Sequence, residues 1–153
     1  MLVVRSFLKY WLPVILWMLI IFSFSSDTIS SRRSSRIIGP IVHWLFPDMS
    51  PEAVEDIVFV VRKCAHCAEY AILAILLWRA RNKPTKLMRS RWNWLEARTV
   101  LVLAALYAAT DELHQEFVPN RQSSVADVWI DTMGALIGLA LLWLADRWQK
   151  LRE

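Results

Sequence analysis

Three apolar stretches of this chain carry ionisable residues at helical spacing. At about 100° per residue, Arg62, His66 and Glu69 share a face in the first, and Tyr107, Asp111, His114 and Gln115 share one in the second. In the third, Asp127 and Asp131 continue into Gly134 and Gly138 along a single stripe. These residue types suit two kinds of chemistry. Carboxylates beside imidazoles can take up and pass on protons, which makes His66, Glu69, Asp111 and His114 the candidate catalytic groups. Arg62, Lys63 and Arg121 can hold a phosphate or pyrophosphate, and with Glu112, Gln115, Asp127 and Asp131 they form the candidate substrate-binding set. A charge in lipid costs roughly 2.5 to 3.5 kcal/mol, so groups this numerous in apolar stretches must satisfy one another.

Each group also has a structural role to weigh against the functional one. Arg62 with Glu69 or Asp111 can be an ion pair that fixes helix register. Asp127 can be the acid of a capping box opened by Ser124. Lys63 and Glu112 lie about a quarter turn off their faces and can reach out to headgroups or water, and Tyr107 can serve packing alone. His66, Glu69, His114 and Asp127 also offer nitrogen and oxygen donors suited to a transition metal. The ion-pair network accounts for the same carboxylates without one, and neither metal nor cofactor is assigned.

Positioning these groups takes membrane-length helices. The chain has 153 residues, short enough for one domain. It is 56% hydrophobic with nine tryptophans and only three glycines, which is more apolar surface than a soluble domain carries. Four segments approach the ~20 apolar residues of a membrane span, at about 7–24, 57–78, 97–117 and 125–145. The expected fold is all-α: a polytopic membrane protein built as a bundle of four transmembrane helices, with a short interfacial helix in the first outer loop. That interfacial segment is 37–46, too short to span, with Trp44 and Phe46 at headgroup depth. Ser50-Pro51-Glu52 predicts a helix start with a serine cap, proline in the first turn and an acid near the positive end of the dipole. Gly134-x-x-x-Gly138 lets a neighbouring helix approach closely, which would turn Asp127 and Asp131 inward. The turn 118–123 precedes Ser124, and Trp92 and Trp94 are expected to anchor the basic loop before the third span at the interface.

The net charge of +4 reports topology rather than a nucleic-acid partner. Twelve Lys/Arg lie before or in the first turn of the first span, in the connection between the second and third up to the first turn of the third, and after the fourth, against four in the other two loops. The positive-inside rule makes the richer face cytoplasmic, with both termini there. Eleven of the fourteen acids do not lie on that face. The polar faces then meet at the outer end of the bundle, where Ser25, Ser26 and Asp27 close the first span. A signal-peptide reading of that span, with Ser23-Phe24-Ser25 as a cleavage site, would leave three spans and remove those closing residues. Cys64 and Cys67 lack the βαβ context of a redox motif and read as two small buried residues of a membrane helix. Below the charged cluster, Ala71-Ile72-Leu73, Leu101-Val102-Leu103 and Leu139-Ala140-Leu141 offer no group to relay a proton, which argues against a transport path.

The motifs resemble those of the VanZ family over most of the chain. The likeness rests on Arg62-Lys63-x-x-His66-x-x-Glu69-Tyr70-Ala71-Ile72-Leu73, on Tyr107-Ala108-x-x-Asp111-Glu112-x-His114-Gln115-x-Phe117-Val118-Pro119-x-Arg121, and on Ser124-x-x-Asp127-x-x-x-Asp131-x-x-Gly134. Cys67 stands where an aromatic is more usual, and Asn120 where glycine is more usual. The family is named for an accessory protein of glycopeptide-antibiotic resistance that acts on teicoplanin more than vancomycin. The resemblance implies a multi-pass protein of the bacterial cytoplasmic membrane that affects the envelope or antibiotic susceptibility, and it supplies no reaction. The expected partner is a membrane lipid, a lipid-linked envelope precursor or an amphipathic antibiotic. The rival expectation is a structural or partner-binding bundle whose charged cluster only locks helix packing. No oligomeric state follows from the pattern.

Overall fold

The computed structural model describes residues 2–26, 28–83, 92–117 and 124–152, with the backbone alone for 2–3, 6, 26 and 28–35. These residues form six α-helices and no strand: α1 Leu2–Tyr10, α2 Leu12–Ser26, α3 Thr28–Leu45, α4 Pro51–Asn82, α5 Trp94–Gln115 and α6 Val125–Lys150. The segment expected as the first span forms α1 followed directly by α2. Pro13 has no N–H to give to the preceding turn, yet the chain stays helical across the joint. Trp11 N–H bonds to Phe7 O at 2.8 Å, and Ile15 N–H to Trp11 O at 3.0 Å.

Helix α3 corrects the expectation of a short segment over 37–46. It begins at Thr28 and runs for 18 residues with Pro40 inside it. Its serine- and arginine-rich first half contains no glycine or proline before Gly39, so nothing stops the helix from extending upstream. Trp44 and Phe46 are exposed, at 78% and 53%.

Helix α4 is the hub and packs against each of the other five, most extensively against α6. It starts as its sequence prescribes: Ser50 Oγ accepts from Ala53 N–H at 3.3 Å, proline occupies the first turn, and Glu52 stands beside the helix N-terminus. Its 32 residues reach about 48 Å at ~1.5 Å per residue. It stops at Lys83, which takes the left-handed conformation (φ 43°) and bonds its N–H to Arg79 O. Helix α5 is capped by Asn93, whose Oδ1 accepts from Leu95 and Glu96 N–H.

A buried stripe on α5 explains how it sits. Ala97, Val100, Ala104 and Ala108 face inward at 3–4 residue spacing, and the same stripe ends in Asp111 and Gln115. On α6 the buried stripe is Asp131, Gly134, Ala135, Gly138 and Leu139. A Cβ at Gly134 would overlap the Cys67 carbonyl oxygen and lie 2.9 Å from Cys67 Cα; one at Gly138 would lie 3.0 Å from Ala71 Cα. Two glycines one turn apart thus bring the α6 backbone against that of α4, as their spacing predicts. Cys67 is accordingly half-buried, but Cys64 is exposed, so the pair is not buried as expected, and both thiols are free.

The far end of the bundle is aromatic. Trp78 stacks on Trp92 with centroids 4.9 Å apart, Trp94 meets Trp92 edge-on, and Arg81 Nε bonds Glu96 Oε2 at 2.6 Å. That bond holds the Glu96 carboxyl below its ordinary value. Among the described residues one helix, α6, is both long and apolar enough to cross a membrane, and Leu12–Ser25 is a shorter apolar helix. Helices α4 and α5 have the length, at 32 and 22 residues, but charged side chains interrupt their apolar runs.

Candidate functional site

At the opposite end from the tryptophans, α2, α4, α5 and α6 bring their polar residues together in two layers. The inner layer is closed. Ser25 Oγ donates to Asp111 Oδ2 at 2.6 Å, and Gln115 Nε2 donates to Ser25 Oγ at 2.5 Å and to Asp111 Oδ2 at 3.2 Å. Ser25, Asp111 and Gln115 are 0%, 2% and 6% exposed, so this network lies out of water's reach and binds α2 to α5. One turn earlier on α5, Tyr107 Oη donates to Met18 O at 2.6 Å. Trp17 Nε1 donates to Glu69 O and fastens α2 to α4 at the same level. Glu112, also buried, accepts the Ser124 backbone N–H at 2.9 Å and joins the end of α5 to the start of α6.

The outer layer is half-open. Lys63 Nζ pairs with Asp127 Oδ1, with side chains 23% and 26% exposed. His66 Nδ1 lies 3.5 Å from Glu69 Oε2, with side chains 26% and 23% exposed. This contact is ionic in range and longer than a good hydrogen bond. Asp131, one turn after Asp127 on α6, is buried at 3% exposure. Tyr70, fully buried, carries a hydroxyl with no hydrogen-bond partner among the described residues, and its ring centroid is 6.2 Å from that of Tyr107.

Several sequence expectations are corrected here. Lys63 and Glu112 do not reach outward: the first crosses to Asp127 and the second closes onto Ser124. Ser124 caps α6 without a side-chain hydrogen bond, so the capping box is not formed, because the Asp127 carboxylate is engaged by Lys63. Arg62 pairs with neither Glu69 nor Asp111. It lines a groove between α3 and α4 and has no hydrogen bond or ion pair among the described residues. His114 packs on Phe22, with ring centroids 4.3 Å apart. The donor set His66, Glu69, His114 and Asp127 is not assembled as a metal centre: among the described residues no three His, Cys, Asp or Glu form a group that could hold an ion. Arg121, Asp27 and the turn 118–123 lie outside the described residues.

Ser25 is the main participant absent from the candidate list. Its signal was available, since a serine closing an apolar span has to find a partner. What the sequence withheld was which of the opposing carboxylates it would meet.

Residues 10–146 match the family model described as VanZ/LLP1. The chain belongs to the VanZ/LLP1 family. That match takes in α2 through most of α6, hence every residue of both layers. No curated protein and no solved structure gives a significant match.

The two layers differ in what they can do chemically. The hydroxyl of Ser25 is committed as donor and as acceptor inside a sealed network, which suits locking rather than nucleophilic attack. In the outer layer an ammonium, an imidazole and two carboxylates are reachable from outside. There an incoming anion can exchange with Asp127 at Lys63, and His66–Glu69 can take or give a proton.

Proposed function

We propose that this VanZ/LLP1 chain is a multi-pass protein of the bacterial cytoplasmic membrane, with four spans, both termini cytoplasmic and its polar end at the outer face. That end binds a lipid-linked or amphipathic envelope molecule and so affects susceptibility to glycopeptide antibiotics. The observation that carries the reading is the half-open layer Lys63–Asp127 and His66–Glu69, held over a sealed layer at one end of the bundle. The membrane part is supported by α6 and by the large apolar side chains left exposed around the helices, among them Leu19, Phe24, Val60, Leu106, Ile137 and Leu141. Such a surface is a liability in water and is satisfied by lipid. Charged residues concentrated at one end then sit at the interface, where their cost is lowest. The headgroup of the bound molecule supplies an anion for Lys63, and Arg121, a candidate from the sequence alone, is the further cation proposed for it.

Mass spectrometry of ligands that co-purify from native membranes tests this reading. A lipid-linked or amphipathic species carried by the wild type, and lost from Lys63→Ala and His66→Ala proteins that still insert, is the expected result; equal loading of all three overturns it. Topology is tested separately in a background lacking Cys64 and Cys67. Asn120→Cys should react with a membrane-impermeant maleimide in intact cells, and Lys86→Cys only after lysis.

The sealed Ser25–Asp111–Gln115 network favours a second role for part of the cluster, that of locking helix packing. It predicts that apolar replacements of matched size in that network keep ligand loading.

A further inference from the structure

Arg62 leads to a second region that the carboxylate layers do not use. Between α3 and the outward part of α4 lies a groove of about 690 Å³, within the range of small-molecule sites. Four titratable side chains line it: His43 from α3, and Glu55, Asp56 and Arg62 from α4. None of the four has a hydrogen bond or ion pair among the described residues. A cation and two anions sharing a groove without neutralising one another is an unspent arrangement. The reason is geometric. Asp56 and Glu55 stand six and seven residues before Arg62, so their backbones lie about 9 and 10.5 Å from it along the helix axis at ~1.5 Å per residue. Val58, buried, and Phe59, exposed, line the same groove and give it an apolar wall. Phe59 also carries Lys63 Nζ at 5.2 Å from its ring centroid, so the groove adjoins the half-open layer.

We infer that this groove binds a zwitterionic amphiphile, a head bearing a phosphate and a primary ammonium on an apolar tail. Guanidinium geometry matches phosphate bidentately, and His43 adds a second donor to it. Glu55 and Asp56 accept from the ammonium, and Val58 with Phe59 takes the start of the tail. An anionic amphiphile without an ammonium would leave the two acids facing a like charge, and an alkylamine would leave Arg62 unserved, so the groove discriminates against both. The inference rests on the membrane reading above but not on the chemistry of the carboxylate layers.

The test uses purified full-length protein and short-chain lipids of equal chain length. Phosphatidylethanolamine should bind about tenfold or more tightly than phosphatidylglycerol, since only its head carries an ammonium for the two acids. The double variant Glu55→Gln/Asp56→Asn should erase that preference, and Arg62→Gln should weaken both lipids by a similar factor. Each variant is checked for unchanged helical melting; Glu55 and Asp56 are exposed and their amide replacements near-isosteric, so the double variant leaves the fold intact. Competition by chain-free glycerophosphoethanolamine separates the sources: parity with the lipid assigns the head alone, and loss of binding assigns the lipid. Equal binding of the two lipids, or a preference that survives the double variant, overturns the inference. Failure here with Lys63-dependent co-purification intact removes only the groove; the opposite pattern removes only the layered site.

Discussion

The sealed and half-open layers are made of the same residue types within one bundle end, and they differ in what surrounds each carboxylate. Asp111 receives hydrogen bonds from Ser25 and Gln115 with no water to compete, whereas Asp127 meets Lys63 at an edge that solvent reaches. A buried charged hydrogen bond is costly to break because its partners are stranded. A half-exposed ion pair contributes little to stability and can be exchanged for a ligand. Burial therefore separates groups that hold the helices from groups that are free to act.

The largest effect should come from removing the platform common to both layers. Gly134→Val drives side-chain atoms into the Cys67 backbone, with no flexible neighbour to yield. A loss on the order of 3 kcal/mol is expected, read as a lowered melting temperature in detergent together with lost ligand loading. A melt within a degree of wild type would mean α4 and α6 do not pack backbone to backbone.

Next comes Asp111→Ala, which strands Ser25 and Gln115 and should cost about 2–3 kcal/mol. Stability should fall and ligand loading should fall with it. Lys63→Ala sharpens the contrast, because the pair it breaks is worth about 0.2–1 kcal/mol. Its melt should stay close to wild type while ligand loading is lost. If the two variants exchange these outcomes, the assignment of layers is inverted.

The smallest effect is at the far end, where Arg81 and Glu96 form an exposed pair that serves as a control. Glu96 is held below the ordinary glutamate value by Arg81. The pair's contribution is therefore present above that ordinary value and is lost as pH falls through the lowered one. Acid melting curves of wild type and Glu96→Gln should converge at low pH and separate slightly near neutrality. Ligand loading should be unchanged in the variant, and a change would tie this end to the site.

Much of the architecture was legible because helical periodicity is local. The buried stripes of α5 and α6, the serine cap and proline start of α4, and the close approach at Gly134 and Gly138 all follow from residues within a few turns of one another. Helix α3 was misjudged in length because a run of serines and arginines carries neither an apolar period nor a breaker. The site was legible only as a set of polar faces pointing to one end.

By itself the sequence determined that the chain is helical, that it belongs with VanZ/LLP1 proteins, and that its carboxylates and histidines share polar faces of the helices. Tertiary structure alone decided which partner each charged group took. Arg62 and Lys63 are adjacent in the chain, yet one faces α3 and the other crosses to Asp127 on α6. Ser124 gives its backbone N–H to Glu112 rather than its side chain to the capping box. A helical wheel fixes the angle at which a residue leaves its helix but not which neighbour stands there. Where a long side chain with several free torsions comes to rest depends on packing between helices far apart in sequence.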